Sequence, residues 1–307
     1  KRDRENWDVN GDDFSEMVAL KNNTFGLDAF YSFNERNKLK LGIYYINEFR
    51  RGGNKFDLFP HQADVSEQLE HDILGTRLSF DYESKDTKQK ISLYVSLQQI
   101  ERASYYGGGG RVIREGDSIT SDDVLSINAY GSSEDISTVS GIQYNYLIKP
   151  NLTITAGSEF IYNNVLDKMP GYSRVIDQQI NTWGTFAELE IKPIEKLTFL
   201  IGGRFDQLNI VGKYDLEGEN FVNDKNFNVL VPSISAMYSV HENLKLRASF
   251  AQGYRGPQAF DEDLHIETVG GAARFIRLGS ELEVERSNNV SFSLNFDKFI
   301  RKKQINF

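Results

Sequence analysis

Residues 90–102 read KISLYVSLQQIER, and apolar and polar side chains alternate along this stretch. Ile91, Leu93 and Val95 fall on one face of an extended chain, because successive side chains of a strand point to opposite sides. The same period of two recurs in three further stretches, 197–206, 244–250 and 290–297. Alternation sustained over this length predicts β-strands.

The connections between the predicted strands alternate in length. Six are short turns, at 34–37, 84–89, 149–151, 193–196, 241–243 and 299–303. Five are long loops, at 51–70, 103–134, 163–177, 211–227 and 255–286. Barrels of the bacterial outer membrane have short periplasmic turns and longer extracellular loops. We therefore predict an all-β fold, an antiparallel up-and-down meander from a transmembrane outer-membrane β-barrel.

The pattern gives about eleven long strands and no second domain within residues 1–307. Bacterial single-chain barrels have an even number of strands, so we expect this barrel to be incomplete, with open edges and strictly sequential strand order. The predicted strands are 24–33, 38–50, 71–83, 90–102, 135–149, 152–162, 178–192, 197–210, 228–240, 244–254 and 287–298.

A one-sided sheet of a soluble protein also alternates, and strand length argues against it. Strands of soluble proteins centre on about 5–6 residues, whereas about 12 residues tilted near 45° span roughly 28 Å, close to the hydrocarbon thickness. The apolar face then contacts lipid, and the opposite face lines a polar lumen. The charged residues expected in the lumen are Lys90, Arg204, Asp206, Lys245 and Arg247.

The amino-acid composition excludes several classes of function. The chain has no cysteine and four histidines, which excludes a disulfide scaffold and a thiol nucleophile. No residue spacing indicates a nucleophile elbow or a catalytic triad, so we predict no enzymatic activity. The net charge of −9 disfavours a nucleic-acid partner. Fifteen tyrosines and 21 phenylalanines suit the aromatic girdles of a membrane barrel, which makes outer-membrane lipid an expected partner.

The last long loop begins and ends with specific sequence. Residues 248–262 read ASFAQGYRGPQAFDE, and residues 278–289 read LGSELEVERSNN. Together they resemble the two halves of the strand–loop–strand signature of TonB-dependent outer-membrane receptors, in which a strand ends in Gly-Tyr-Arg-Ala-Pro. Leu282, Glu285 and Ser287 match the second half, whereas Gly256 replaces the usual alanine and Gly279, Ser280 and Val284 replace an asparagine and two prolines.

The resemblance implies a 22-stranded barrel around an N-terminal plug domain, located in the bacterial outer membrane. It also implies import of a scarce ligand, driven by an inner-membrane energy-transducing protein that contacts the plug. Neither the plug nor its contact segment is found in these 307 residues. The ligands that the resemblance suggests are a metal chelate, with an iron–siderophore complex first, and cobalamin. A passive porin or adhesin barrel is the alternative, and an outer-membrane enzyme is less favoured.

Four residues are candidates for ligand contact: Tyr254, Arg255, Gln258 and His265. The first two end a strand, where Pro257 cannot donate to a ladder, and Glu285 could pair with Arg255. For Tyr254, Arg255 and Glu285 we favour a structural role at the strand–loop junction over ligand contact.

A second constellation lies near the N-terminus. Asp8, Asn10, Asp12 and Glu16 occupy positions 1, 3, 5 and 9 of a loop, a spacing that lets oxygen ligands surround calcium. Asp13 and Ala19 stand where an EF-hand has glycine and glutamate. A loop closed by its own Asx turns is the favoured interpretation, and calcium is the one cofactor that the sequence suggests.

Overall fold

The computed structural model describes residues 1–216, 218–257, 279, 281–300 and 303–306. These residues form one sheet of thirteen strands, with one helix, α1 (Ser121–Asn128), and two 3₁₀ turns, Pro60–Gln62 and Pro170–Tyr172, in the connections. The strands are β1 (Arg2–Arg4), β2 (Ala19–Ser32), β3 (Asn37–Gly53), β4 (Val65–Glu83), β5 (Gln89–Gly108), β6 (Tyr130–Lys149), β7 (Leu152–Met169), β8 (Arg174–Ile194), β9 (Leu197–Leu216), β10 (Glu219–His241), β11 (Leu244–Arg255), β12 (Glu285–Ile300) and β13 (Lys303–Asn306).

The strand order follows the chain without exception. Each strand pairs antiparallel with the next, from β1 to β13. Among the described residues no strand at one edge pairs with a strand at the other, so the sheet is open. The predicted antiparallel meander with sequential order and open edges is therefore confirmed.

The strands extend further at the loop end than the sequence predicted. The segments predicted as loops 163–177 and 211–227 are mostly strand, because β7 and β8 form a hairpin that turns at 170–173, while β9 runs to Leu216 and its partner β10 begins at Glu219. The loops predicted at 51–70 and 103–134 shorten to 54–64 and 109–129. A strand of 20 residues such as β9, tilted near 45°, rises roughly 47 Å and so projects beyond a hydrocarbon layer of about 30 Å. Outside lipid a strand needs no apolar outer face, which is why alternation failed to reveal these extensions.

Residues that pair across the ladders lie on the same face of the sheet, and this defines a lumen face. One row of directly paired residues crosses eight strands on this face: Lys40, Ser79, Tyr94, Gly141, Glu159, Gly184, Asp206 and Val229. The opposite, outer face carries exposed apolar side chains, including Leu93, Ile201 and Phe292. A sheet with its apolar side chains outside and its charges inside has the polarity of a membrane barrel.

The buried core is small and lies on the lumen face near the loop end. Ile176, Ile210 and Tyr214 are at most 2% exposed and form its centre. Ile180, Leu216, Phe221 and Phe227 pack around them. This cluster gives the projecting ends of β8, β9 and β10 a buried apolar side, which stabilises the hairpins where lipid no longer covers them. Among the described residues, no helix has the length and apolar character needed to cross a membrane.

Candidate functional site

A polar network joins four strands on the lumen face at mid-height. Arg204 donates from Nε to Asp206 at 2.7 Å and from Nη1 to Glu159 at 2.9 Å. Tyr94 donates to the second carboxylate oxygen of Glu159 at 2.8 Å, and Tyr254 donates to Asp206 at 2.9 Å. These five residues, the lumen-wall network, come from β5, β7, β9 and β11. Two carboxylates share one guanidinium, so the network presents net negative charge.

Glycines make room for this network. Gly141 separates Tyr94 from Glu159 in the register, and Gly184 separates Glu159 from Asp206. A Cβ at Gly184 would collide with the Arg204 guanidinium and the Asp206 carboxylate, and one at Gly141 would lie 2.5 Å from the Tyr94 ring and hydroxyl. Long side chains therefore lie flat across the glycine positions and reach the strand beyond.

The two strand-end residues Tyr254 and Arg255 contact different parts of the structure. Tyr254 reaches across β10 to the lumen-wall network, because β11 leaves β10 after the pair Ser233↔Ala251 while it stays paired with β12. Arg255 lies opposite Glu285 in the ladder. Within the described part of the chain their side chains form no ion pair. Both line a recess of about 250 Å³ at the base of the last loop, together with Gly256, Pro257, Leu282 and Glu283.

Gln258 and His265, the other two predicted ligand residues, lie outside the described residues, as does the acidic stretch 261–267. The predicted lumen residue Lys90 forms an ion pair with Glu83 at 3.3 Å. Arg247 lies 3.7 Å from the Met237 sulfur.

The candidate calcium loop is closed by its own hydrogen bonds. Asp8 accepts from the backbone N–H of Gly11 at 2.6 Å and of Asp13 at 2.8 Å. Glu16 accepts from Val9 at 2.8 Å, and Asn10 and Asp12 bond each other. Contact with the protein raises the pKa of Asp8 by desolvation, but the backbone donors outweigh it and hold this pKa below its ordinary value. Carboxylate oxygens of Asp8, Asp12 and Glu16 lie within 4.8 Å of one another.

At the loop end, hydrogen bonds connect loop 54–64 to loop 109–129 and the strands beside it. The Ser126 hydroxyl on α1 donates to the His61 carbonyl at 2.5 Å and bonds the Tyr105 hydroxyl at 3.1 Å. The His61 ring nitrogen Nδ1 lies 3.0 Å from the Tyr130 hydroxyl. Burial lowers the pKa of His61, which favours the neutral ring. These loops form an ordered rim beside the lumen.

Sequence reasoning identified Arg204 and Asp206 as lumen residues but missed their partners. Tyr94 and Glu159 sit 65 residues apart and become neighbours through the register of β5, β6 and β7. Their place on the polar side of each strand was the only available signal, and it does not identify contacts between strands.

A sheet of projecting hairpins with an apolar outer face, a charged inner face and an ordered rim defines the wall of an outer-membrane transport barrel. The chain belongs to the TonB-dependent receptor family, because the family model described as TonB dependent receptor-like, beta-barrel, matches residues 3–306. This membership places the chain in the bacterial outer membrane.

Solved structures share the fold at low sequence identity. The unliganded ferric citrate transporter FecA is 13% identical with a TM-score of 0.63, over 92% of this chain and 41% of its own. The apoprotein form of the iron transporter FrpB from Neisseria meningitidis is 13% identical with a TM-score of 0.65, over 96% and 46%. The copper transporter OprC is 11% identical with a TM-score of 0.63, over 91% and 43%.

The chain thus spans less than half the length of each of these structures. No curated protein sequence is similar enough to count as a relative. The family and its structural neighbours are receptors and transporters, so the prediction that the chain is not an enzyme is confirmed.

Proposed function

We propose that this chain is part of a receptor that imports a scarce metal chelate across the outer membrane with energy supplied from the inner membrane. The observation that carries the proposal is family membership over residues 3–306, combined with a charged lumen face below an ordered rim. The ligand class proposed first is an iron complex, such as a ferric siderophore. Ferric citrate and iron are the cargoes named for two of the neighbours, and copper for a third. Cobalamin is the second ligand to test.

Ligand capture is assigned to the loop end. The short turns have too few residues to build a pocket, whereas loops 54–64 and 109–129 and the recess lined by Arg255, Pro257 and Glu285 lie at the loop end of the sheet. Arg255, Glu283 and Glu285 line the recess at the base of the last loop, so this recess presents charged groups of both signs to a ligand.

The test is uptake of radiolabelled ferric citrate, ferric siderophores and cobalamin by cells with and without the complete gene. A protonophore is added in a parallel culture. We expect gene-dependent uptake of an iron complex that the protonophore abolishes. Uptake that persists with the protonophore would instead indicate a passive porin.

A second experiment locates the site. The loop 256–284 is shortened in the complete receptor, and the turn at 84–88 is altered as a control at the opposite end. Loss of uptake only in the first variant is expected, and unchanged uptake would contradict the assignment of capture to the loops.

A further inference from the structure

Arg174 is buried at the loop end of the lumen face with incomplete hydrogen bonding. Its side chain begins β8 and is 3% exposed. Nη1 lies 2.6 Å from Oδ2 of Asp167. Nε and Nη2 have no hydrogen-bond partner among the described residues. Two donor nitrogens of this guanidinium are therefore enclosed without an acceptor from the part of the chain that the structure describes.

A second arginine shares the same carboxylate. Arg102 on β5 lies opposite Ser133 on β6, which lies opposite Asp167 on β7. Arg102 Nη2 is 3.8 Å from Asp167 Oδ1, and the two side chains are 13% and 8% exposed. Two guanidinium groups therefore meet one carboxylate in the set Arg102, Asp167 and Arg174, the arginine cluster.

Apolar residues flank Arg174 in the ladders. Its direct partners in the ladders are Met169 and Leu216, and Asp167 pairs with the buried Ile176. An enclosed guanidinium with free donors costs free energy unless an acceptor completes it, and it cannot escape by losing its proton. A planar oxyanion fits this need, because carboxylate oxygens match the guanidinium fork in a bidentate arrangement.

We propose that the arginine cluster is a binding subsite for a carboxylate group of the imported chelate, held between Arg174 and Arg102. The cluster lies beside the hairpin turn 170–173, at the loop end of the lumen face. This inference rests on the proposed function and specifies its ligand as a carboxylate-bearing complex. Asp167 positions both guanidinium groups.

The test measures binding of citrate and ferric citrate to the complete receptor in detergent by calorimetry, with sodium chloride at equal ionic strength as reference. The variants are Arg174→Gln and, because Arg174 is fully enclosed, Arg102→Gln as a more exposed second position. Lys213→Gln is the matched control, since Lys213 is a cation on the adjacent strand with 64% side-chain exposure.

We expect wild type and Lys213→Gln to bind citrate alike, and each arginine variant to lose about tenfold or more in affinity. Unchanged affinity in both arginine variants overturns the proposal. No citrate response in wild type beyond that of chloride also overturns it.

Uptake separates this inference from the proposed function. If the subsite alone is wrong, the arginine variants still import an iron complex and the protonophore still blocks it. If the proposed function is wrong, deletion of the complete gene leaves uptake unchanged, whatever the citrate titration shows.

Discussion

The hydroxyl of Tyr254 donates a hydrogen bond to Oδ2 of Asp206 at 2.9 Å, and so ties the end of β11 to the middle of the lumen wall. Asp206 is 2% exposed and also accepts from Arg204. The strand-end motif is therefore connected to the Arg204–Glu159 pair on β9 and β7. This contact supports the structural role that the sequence favoured for Tyr254.

Tyr254→Phe should weaken the barrel without altering its shape. The substitution removes one donor to a buried carboxylate, so we expect the free energy of unfolding to fall by about 1–2 kcal/mol. Chemical denaturation of the complete receptor measures it. Tyr238→Phe is the control, because that ring is 42% exposed on the outer face. Equal loss in both variants would contradict the role of the hydrogen bond.

Gly184→Ala should lower the thermal stability of the receptor more than Gly203→Ala does. A Cβ at Gly184 meets the Arg204 and Asp206 side chains, whereas one at Gly203 meets only backbone atoms at 3.6 and 3.7 Å. Displacing Arg204 separates it from a buried carboxylate, at a cost of about 2 kcal/mol or more. The thermal midpoints of the two variants provide the comparison, and equal midpoints would exclude a packed guanidinium at Gly184.

Acidification should loosen loop 54–64. Burial lowers the pKa of His61 below 6.5, so the closed rim favours the neutral ring and the opened loop is protonated first. Neutral His61 stabilises the closed rim. This stabilisation is complete above pH 6.5 and is lost as the pH falls through the lower pKa that His61 has in the closed rim. Hydrogen exchange, corrected for intrinsic rates, should show reduced protection of this loop near about pH 5. The same loss of protection in the His61→Gln variant would show that protonation of His61 does not cause it.

Calcium binding at the N-terminal loop stays a prediction. Asp8, Asp12 and Glu16 already converge, but backbone donors occupy part of their oxygens, so we expect weak affinity, on the order of 10⁻³ M. Calorimetric titration should give heat with wild type and with the control Asp57→Ala, and none with Asp8→Ala/Asp12→Ala. Absence of heat with the wild-type protein would contradict calcium binding at this loop.

The sequence predicted the strands where lipid enforces alternation, as at Leu93, Val95 and Leu97. It underestimated them at the loop end, where Asp167, Gln178 and Lys213 belong to hairpins that extend beyond the length needed to cross the hydrocarbon layer. It placed Arg204 and Asp206 correctly in the lumen. It could not predict that Arg102, Asp167 and Arg174 meet, because only the registers of β5, β6, β7 and β8 bring them together.

The most direct test of the barrel assignment uses the absence of native cysteine, which makes single-cysteine scanning clean. Ser92, Leu93, Ser96 and Leu97 on β5 are replaced by cysteine one at a time, spin-labelled, and studied in outer-membrane vesicles. Collision with oxygen, which concentrates in lipid, should be high at 93 and 97, and collision with a water-soluble nickel chelate should be higher at 92 and 96. A uniform response at all four positions would contradict a lipid-facing outer wall and a polar lumen.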